Sequence, residues 1–353
     1  MAGEIPEIPG YLVTDKTAAY ELRRLVGALA GTNRTTFPGA QPVSFTRTQS
    51  LRQLLDANYF VCEKSDGVRV LVLMLVTPQG PATYLITRKS EYYLAPNAHF
   101  PVPTTDAQFH HNTLIDAELV IDVDQGRHVR KLLAFDALVV NGTSCMARPL
   151  EKRLGYLAEH IVKPYARWSA QNPQAQRPFA AEMKSFQRSY GTPMVFHEII
   201  PRLLHQNDGL IYTSADAPYT PGTCNQIIKW KPAHENSIDF KLRPRNGAID
   251  LLVWEGEARY QPFGQLAVQQ ADWQLLGDPA QLDGRIAECV FDPGHAPPSR
   301  WRFLRFRDDK PHGNHSSVVT RIMESISDSM SQAELEDAMP EIRANWKRRN
   351  HEA

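Results

Sequence analysis

The sequence predicts an α+β protein of two domains, a larger N-terminal domain of antiparallel sheets with flanking helices and a small C-terminal β-barrel. Three observations predict it. Short apolar and β-branched runs bounded by Gly, Pro, Asp or Asn recur between Tyr59 and Val140, the pattern of half-buried strands joined by turns. Stretches with helical spacing lie before and after them, so strands and helices are segregated rather than alternating. Beyond Pro232 five short strand-like runs crowd together with turns between them, too closely for intervening helices.

In chain order, Tyr11–Ala30 reads as a helix and Phe37-Pro-Gly-Ala-Gln-Pro-Val43 as a turn-rich connector. Strands follow at Tyr59–Glu63, Val68–Val76, Ala82–Thr87, Leu114–Val123 and Lys131–Val140. Pro149–Tyr165 has helical spacing, and the polar, Gln- and Pro-rich stretch Trp168–Pro178 reads as a surface loop. A short helix over Val195–Leu204 precedes strands at Gly209–Thr213 and Gln226–Trp230. The runs Ile238–Leu242, Ile249–Trp254, Gln265–Gln269, Arg285–Phe291 and Trp301–Phe306 fit a barrel of the OB type. Ser317–Ser327 and the charged tail from Ser331 are helical, with Leu335, Met339 and Ile342 on one face. The bounds drawn are 1–238 for the first domain and 239–315 for the barrel. Residues 316–353 form a C-terminal helical segment expected to pack back on the first domain.

Composition narrows the function. The 353 residues exceed what one core serves. With 39 basic and 39 acidic side chains the chain has no net charge, so any nucleic-acid contact belongs in a cleft rather than on a basic face. Cys62, Cys145, Cys224 and Cys289 form no C-x-x-C pair, which argues against structural zinc and for a reducing compartment. The N-terminus lacks the basic-then-apolar order of a secretory signal. The longest apolar run, Val68–Val76, is interrupted by Arg69 and too short for a bilayer, so a soluble protein with no membrane partner is expected.

The chemistry concentrates in a few segments. In Glu63-Lys64-Ser65-Asp66-Gly67-Val68-Arg69, Lys64 ends one strand and Asp66-Gly67 turns into the next. A lysine nucleophile must lose its proton, which desolvation or neighbouring cations favour, and Arg69 supplies such a cation. Alone, the element serves a surface hairpin equally well. In Leu114-Ile-Asp-Ala-Glu-Leu-Val120, alternation places Asp116 and Glu118 on one face and apolar neighbours on the other. Two carboxylates aimed into one space suit sugar hydroxyls or a hydrated Mg²⁺; a solvated acidic edge strand reads the same way. Ala134-Phe135-Asp136-Ala137-Leu138 places a carboxylate in an apolar strand after an aromatic that could stack on a base. Asp208-Gly209-Leu210-Ile211-Tyr212 is another acid-Gly step into a strand. In Ile227-Ile228-Lys229-Trp230-Lys231-Pro232 two lysines share a face and repel unless an anion such as a triphosphate lies between them; protective lysines on an edge strand are the alternative.

Taken in order, these elements resemble the covalent nucleotidyltransferase superfamily of mRNA capping enzymes and ATP-dependent ligases. K-x-D-G-x-R matches Lys64 to Arg69, followed by D-A-E-L-V, F-D-A-L, D-G-L-I and K-W-K-P. Arg307-Asp308-Asp309-Lys310 with Asn314 resembles the R-x-D-K-x-x-x-N of the guanylyltransferase branch. That element, K-W-K-P and the Asp of D-G-L-I favour capping over ligation, and Phe37–Val43 resembles the connector of fungal guanylyltransferases.

The resemblance implies a nucleotidyltransferase domain followed by an OB-fold lid. It implies that Lys64 forms a lysyl-N–GMP adduct from GTP and passes GMP to the 5′-diphosphate end of RNA. Arg69, Glu118 and Arg88 would hold the ribose, and Phe135 and Ile211 would sandwich the guanine, with Lys184 a candidate reader of its edge. Asp66 falls within the catalytic element. Asp208, and Glu118 with it, would bind the Mg²⁺ or Mn²⁺ cofactor. Lys229 and Lys231 would contact the α-phosphate, and Arg307, Asp309 and Lys310 would close over the β- and γ-phosphates. The chain holds no phosphatase loop and no methyltransferase region. An RNA 5′-triphosphatase partner (a beta subunit), the phosphorylated C-terminal tail of RNA polymerase II and a nuclear location are therefore implied. A polynucleotide ligase and a catalytically inactive polymerase-tail scaffold are the competing readings.

Overall fold

A computed structural model describes residues 6–351. Two sheets make up the first domain. The larger carries Val68–Thr77, Gly80–Thr87, Thr113–Asp124 and Arg127–Val140 at its centre, all paired antiparallel. Ala180–Met183 joins its Arg127–Val140 strand in parallel. The smaller sheet runs Gln187–Arg188, Tyr59–Ser65, Asn207–Ser214, Gly222–Trp230 and Ala40–Ser44 in that spatial order.

Tyr59–Ser65 and Val68–Thr77 therefore lie in different sheets. The Asp66-Gly67 step is not the hairpin turn that its sequence suggests but a corner between sheets. Gly67 is required there because a Cβ would stand 2.2 Å from the Leu119 carbonyl oxygen. The corner carries the chain across the mouth of the space between the sheets, and Lys64 is at its edge.

Apolar residues fill the space behind each sheet. One face of the large sheet (Val72, Leu85, Ile115, Leu132) packs on Leu154, Leu157, Ile161 and Tyr165 of the helical segment Leu150–Gln171. The other face packs on Val26 and Ala30, from the helix Lys16–Leu29 and its C-terminal cap. That helix begins where Asp15 accepts a 2.7 Å hydrogen bond from the Ala18 amide, an N-cap. Tyr11 and Leu12, read as helical, instead pair with Leu94 and Tyr93 as an edge strand.

Three further expectations change. Phe37–Val43 is not all connector, since Ala40–Ser44 pairs in parallel with Gly222–Trp230. The loop expected from Trp168 begins only after Gln171, because the helix continues. The helical turns assigned to Val195–Leu204 start earlier and end sooner, covering Ser189–Arg202.

The C-terminal domain is a closed five-stranded barrel in the order Ser237–Arg245, Ala248–Gly256, Arg259–Ala267, Trp301–Phe306, Ile286–Phe291. Arg259–Ala267 and Trp301–Phe306 pair in parallel, and Phe240, Leu251, Leu266, Cys289 and Trp301 fill its interior. The segment after the barrel divides in two. Helix Ser316–Ser327 packs on the barrel through Val319, Ile322, Met323 and Ile326 rather than returning to the first domain. Met330, Leu335, Met339 and Ile342, by contrast, pack beneath the small sheet against Tyr59, Val61, Tyr212 and Trp230. The chain thus crosses between domains twice, near Pro232–Asn236 and near Asp328–Met330. All four cysteines are free and buried, and no described helix is long and apolar enough to cross a membrane.

Candidate active site

A cavity of about 290 Å³ opens between the two sheets, lined by both. The small sheet contributes Cys62, Lys64, Ile211, Lys229 and Lys231, and the large sheet contributes Arg69, Asp116, Glu118 and Phe135. Arg88 and Lys184 complete the polar lining. Most of the residues singled out in sequence thus converge on one space, which distant positions reach because each belongs to a strand ending or bulging there.

Two bulges aim key side chains. Between Ala134↔Ala117 and Asp136↔Asp116 the ladder carries one extra residue, Phe135, so its ring leaves the alternation and enters the cavity. The Arg69 guanidinium is 5.5 Å and the Lys184 amine 5.7 Å from its centroid. At Gly209, φ is +143° and a Cβ would meet the Trp230 carbonyl oxygen at 2.0 Å. The register shift between Asn207 and Leu210 turns Asp208 toward the lysines.

The Asp208 carboxylate lies between Lys64 and Lys231. Lys64 Nζ donates to Oδ1 at 2.5 Å, and Lys231 Nζ pairs with Oδ2. Burial alone would raise the Asp208 pKa, but the two ammonium groups outweigh it and hold it below its ordinary value. Lys64, 23% exposed, points into the site beside Lys231 rather than into bulk solvent. Its immediate partner is a carboxylate, where the sequence suggested only cations: Asp208 supplies the anion between the two lysines. Lys229 makes no such ion pair among the described residues. Burial, then Lys231, Lys64 and Arg88, push its pKa down, the signature of crowded positive charge awaiting an anion.

Asp116 plays a different part from the one expected. It is fully buried and bound bidentately by Arg69, at 2.9 and 2.6 Å, and it also accepts from the Tyr219 hydroxyl at 2.5 Å. With its oxygens so occupied it aligns Arg69 instead of facing a sugar or metal. Burial would lower the Arg69 pKa, but Asp116 raises it. Arg69 also donates to the Ala40 carbonyl at 2.6 Å, while the Ala40 amide donates to Tyr219 at 2.9 Å. Asp136 is likewise buried, paired with Arg153 at 2.7 and 3.0 Å, and Arg153 reaches the Arg148 and Ala217 carbonyls. That pair braces the cavity from behind.

Glu118 keeps some exposure. Burial raises its pKa against the pull of Lys184, Lys64, Arg69 and Arg88. Lys184 lies 3.5 Å from Glu63 and 3.9 Å from Glu118. Asp66 does not line the cavity; it is exposed and lines an adjoining hollow with Lys89 and Glu91, which shares Lys64, Arg69, Arg88 and Glu118 with the cavity.

Arg307, Asp309 and Lys310 are on the barrel and none lines the cavity. Arg307 bonds Asp309 at 2.9 Å and Asp239 at 3.3 Å, and Lys310 also pairs with Asp239. The Asp309 hydrogen bond raises the Arg307 pKa, and Arg307 in turn lowers Asp309 to about 2. The structure therefore does not bring the lid cations to the nucleophile.

Tyr219 and Glu63 had gone unnoticed in the sequence. Tyr219 follows Ala217-Pro218 in a loop with no periodicity to mark it, and Glu63 was read only as the neighbour of Lys64.

The chain matches two family models end to end, the mRNA capping enzyme catalytic domain over residues 4–233 and the mRNA capping enzyme C-terminal domain over residues 235–336. The chain belongs to the mRNA capping enzyme family. Among capping-enzyme relatives, the mRNA-capping enzyme subunit alpha of Yarrowia lipolytica is 39% identical, the match covering 99% of this chain and 94% of that protein. The subunit alpha of Schizosaccharomyces pombe is 39% identical over 95% and 88% of the two chains. That of Saccharomyces cerevisiae is 34% identical over 98% and 87%. A solved mycobacterial DNA ligase D complexed with ATP and MES covers 77% of this chain and 95% of its own, at 16% identity and a TM-score of 0.44, too slight a likeness to argue from. The closed barrel falls within the matched mRNA capping enzyme C-terminal domain, and the cavity lies within the matched catalytic domain.

Proposed function

We infer that Lys64 is the nucleophile with which this mRNA guanylyltransferase takes GMP from GTP. The supporting observation is the shared placement of Lys64, Lys229 and Lys231 at one end of a cavity whose other wall carries Phe135. The base stacks on Phe135 with Ile211 opposite, Lys184 at its edge, and the ribose lies against Arg69, Arg88 and Glu118. The α-phosphate then falls between Lys64 and the Lys229–Lys231 pair. The Lys64 amine, having lost its proton, adds to the α-phosphorus as the bond to the β-phosphate oxygen breaks. Pyrophosphate leaves with that electron pair and a phosphoramidate remains. Lys229 and Lys231 stabilise charge on the phosphoryl oxygens as it develops, by charge-assisted hydrogen bonds already in place. In the second step a terminal phosphate oxygen of diphosphate-ended RNA displaces Lys64, giving GpppN.

Among the described residues no three His, Cys, Asp or Glu side chains cluster as a metal site. Mg²⁺ at a phosphate-transfer site takes one or two carboxylates beside substrate phosphates, and Mn²⁺ is the alternative ion. Asp208, whose two oxygens pair with Lys64 and Lys231 in this structure, would hold the ion only after giving up one of those lysines, with Glu118 the second candidate. The ion would supply charge neutralisation on the phosphates. Arg307, Asp309 and Lys310 reach the β- and γ-phosphates only when the barrel closes. The subunit alpha name of the relatives supports a partner subunit, which we take to be an RNA 5′-triphosphatase. Binding to the phosphorylated tail of RNA polymerase II, and a nuclear location, complete the proposal.

Incubation with α-labelled GTP or ATP and Mg²⁺ or Mn²⁺, followed by a denaturing gel, tests it. Label from GTP that vanishes in Lys64→Ala is the expected result. Label from ATP alone would make the chain a ligase, no label from either would make it a scaffold, and a normally labelled Lys64→Ala would remove Lys64 from its role.

A further inference from the structure

We propose that the 5′-diphosphate of the acceptor RNA binds in a second cavity, at the junction of the two domains, and that Arg321 is its anchor. The proposal rests on the assignment of Lys64 as nucleophile. The cavity, about 450 Å³, is lined by Ser44, Lys229, Lys231, Ser237, Arg321 and Ser325 among others. It shares Lys229 and Lys231 with the nucleotide cavity, so the two meet where the α-phosphate lies.

Strand order places this cavity beyond the strand of Lys229, away from the strand of Lys64. From Lys64 the small sheet continues through Asn207–Ser214 to Gly222–Trp230 and then to Ala40–Ser44. At about 4.8 Å between strands, the strand carrying Lys229 lies roughly 10 Å from that of Lys64. Ser44 is the register partner of Lys229 one strand further out. Phosphoryl transfer places entering and leaving groups on opposite sides of phosphorus, roughly in line. When Lys64 is the leaving group, the acceptor oxygen must therefore arrive from the Lys229–Lys231 side, where this cavity opens. The hollow lined by Asp66, Gly67 and Lys89 shares Lys64, Arg69, Arg88 and Glu118 with the nucleotide cavity but neither Lys229 nor Lys231, so it opens on the Lys64 side of the phosphorus.

The chemistry of the lining agrees. Lys229 and Lys231 face the incoming phosphate, and Arg321 stands beyond them on helix Ser316–Ser327. Its Nε donates to the Ser317 carbonyl at 3.1 Å, which leaves the Nη groups for a ligand, and it forms no ion pair among the described residues. Hydroxyls of Ser44 and Ser325 supply further polar contacts, that of Ser237 is engaged with Glu288 at 2.7 Å, and Glu235 is the carboxylate of the lining. Arg321 belongs to the barrel-packed helix, so the acceptor would bridge both domains and bind fully only in the opened state.

The two half-reactions separate the outcomes. Adduct is formed with labelled GTP, isolated, and then offered a short synthetic RNA bearing a 5′-diphosphate. In Arg321→Ala, adduct formation should stay within about twofold of the unsubstituted enzyme. The KM for RNA should rise roughly five- to tenfold, the weight of one net hydrogen bond at a solvent-exposed arginine. Arg321→Glu should raise it further, and Arg321→Lys should recover most of it. An unchanged RNA step, or equal loss in both half-reactions, overturns the proposal. Failure of the unsubstituted enzyme to form any adduct would instead overturn the Lys64 reading beneath it.

Discussion

The hydroxyl of Tyr219 donates a 2.5 Å hydrogen bond to the carboxylate of Asp116, more than a hundred residues earlier in the chain. Both are buried, and through them the connector at Ala40 and the guanidinium of Arg69 are fixed in one closed network. Removing the hydroxyl in Tyr219→Phe strips one donor from the buried Asp116 carboxylate and leaves the Ala40 amide without its acceptor. The expected loss is about 1–3 kcal/mol, read as a lower denaturant midpoint. Because Arg69 loosens, GTP binding should weaken as well. Asp116→Ala should cost about 3–5 kcal/mol, since it leaves Arg69 buried without compensation. If Tyr219→Phe matches the parent in both midpoint and GTP affinity, the network does not position Arg69.

Asp208 makes a prediction in pH. Its pKa is held below the ordinary 3.8, so the unfolded state binds its proton first on acidification. The stabilisation is fully present above about 3.8 and is lost as pH falls through the lower folded value. Asp208→Asn should therefore flatten that part of the acid limb of stability while lowering stability near neutrality. Urea midpoints taken from pH 7 down to pH 3 measure it; parallel curves for the two proteins would contradict the assignment.

The lid gives a kinetic prediction. Arg307 and Lys310 lie on the barrel against Asp239, away from the cavity, so they act only on closure, when the β- and γ-phosphates are present. Arg307→Ala or Lys310→Ala should slow adduct formation from GTP by roughly tenfold or more, as expected for a contact made in the closed complex. Transfer from preformed adduct to RNA should change much less. Equal slowing of both steps would contradict a role confined to closure.

Much of this was legible in the sequence because strands announce themselves by alternation. Lys64, Glu118, Lys229 and Lys231 stand at positions where a charge interrupts an apolar run, and all four reach the cavity. What alternation could not show is where it breaks. Phe135 and Asp208 enter the site through bulges, and a bulge changes facing without changing composition. Nor could it separate a carboxylate facing a ligand from one already paired. Asp116 and Glu118 share a strand face, yet Tyr219 and Arg69 claim the first. Those partners come from a loop and another strand, and no local pattern pairs them. The corner at Gly67 was hidden for a similar reason, since an Asp-Gly turn between two strands looks the same whether they pair or part.

The C-terminal helix supplies the last prediction. Trp346 is buried at 5% exposure, with edge contacts to Phe60 at 5.8 Å and to Tyr190 at 5.7 Å. Phe60 belongs to the strand that carries Lys64, so Trp346 supports the nucleophile from behind without touching the cavity. Nearby, Arg349 donates to the Leu55 and Ala57 carbonyls and to Asn58, fixing the end of the helix Arg47–Asp56. Trp346→Ala should cost about 3–5 kcal/mol through the cavity it leaves, read as a lower denaturant midpoint. At 20 °C the folded fraction should still form adduct at close to the normal rate. The Trp346 ring nitrogen has no hydrogen-bond partner among the described residues, so Trp346→Phe forfeits packing but no bond seen there and should cost clearly less than Ala. If Phe and Ala destabilise equally, the indole is not filling the space this packing assigns to it.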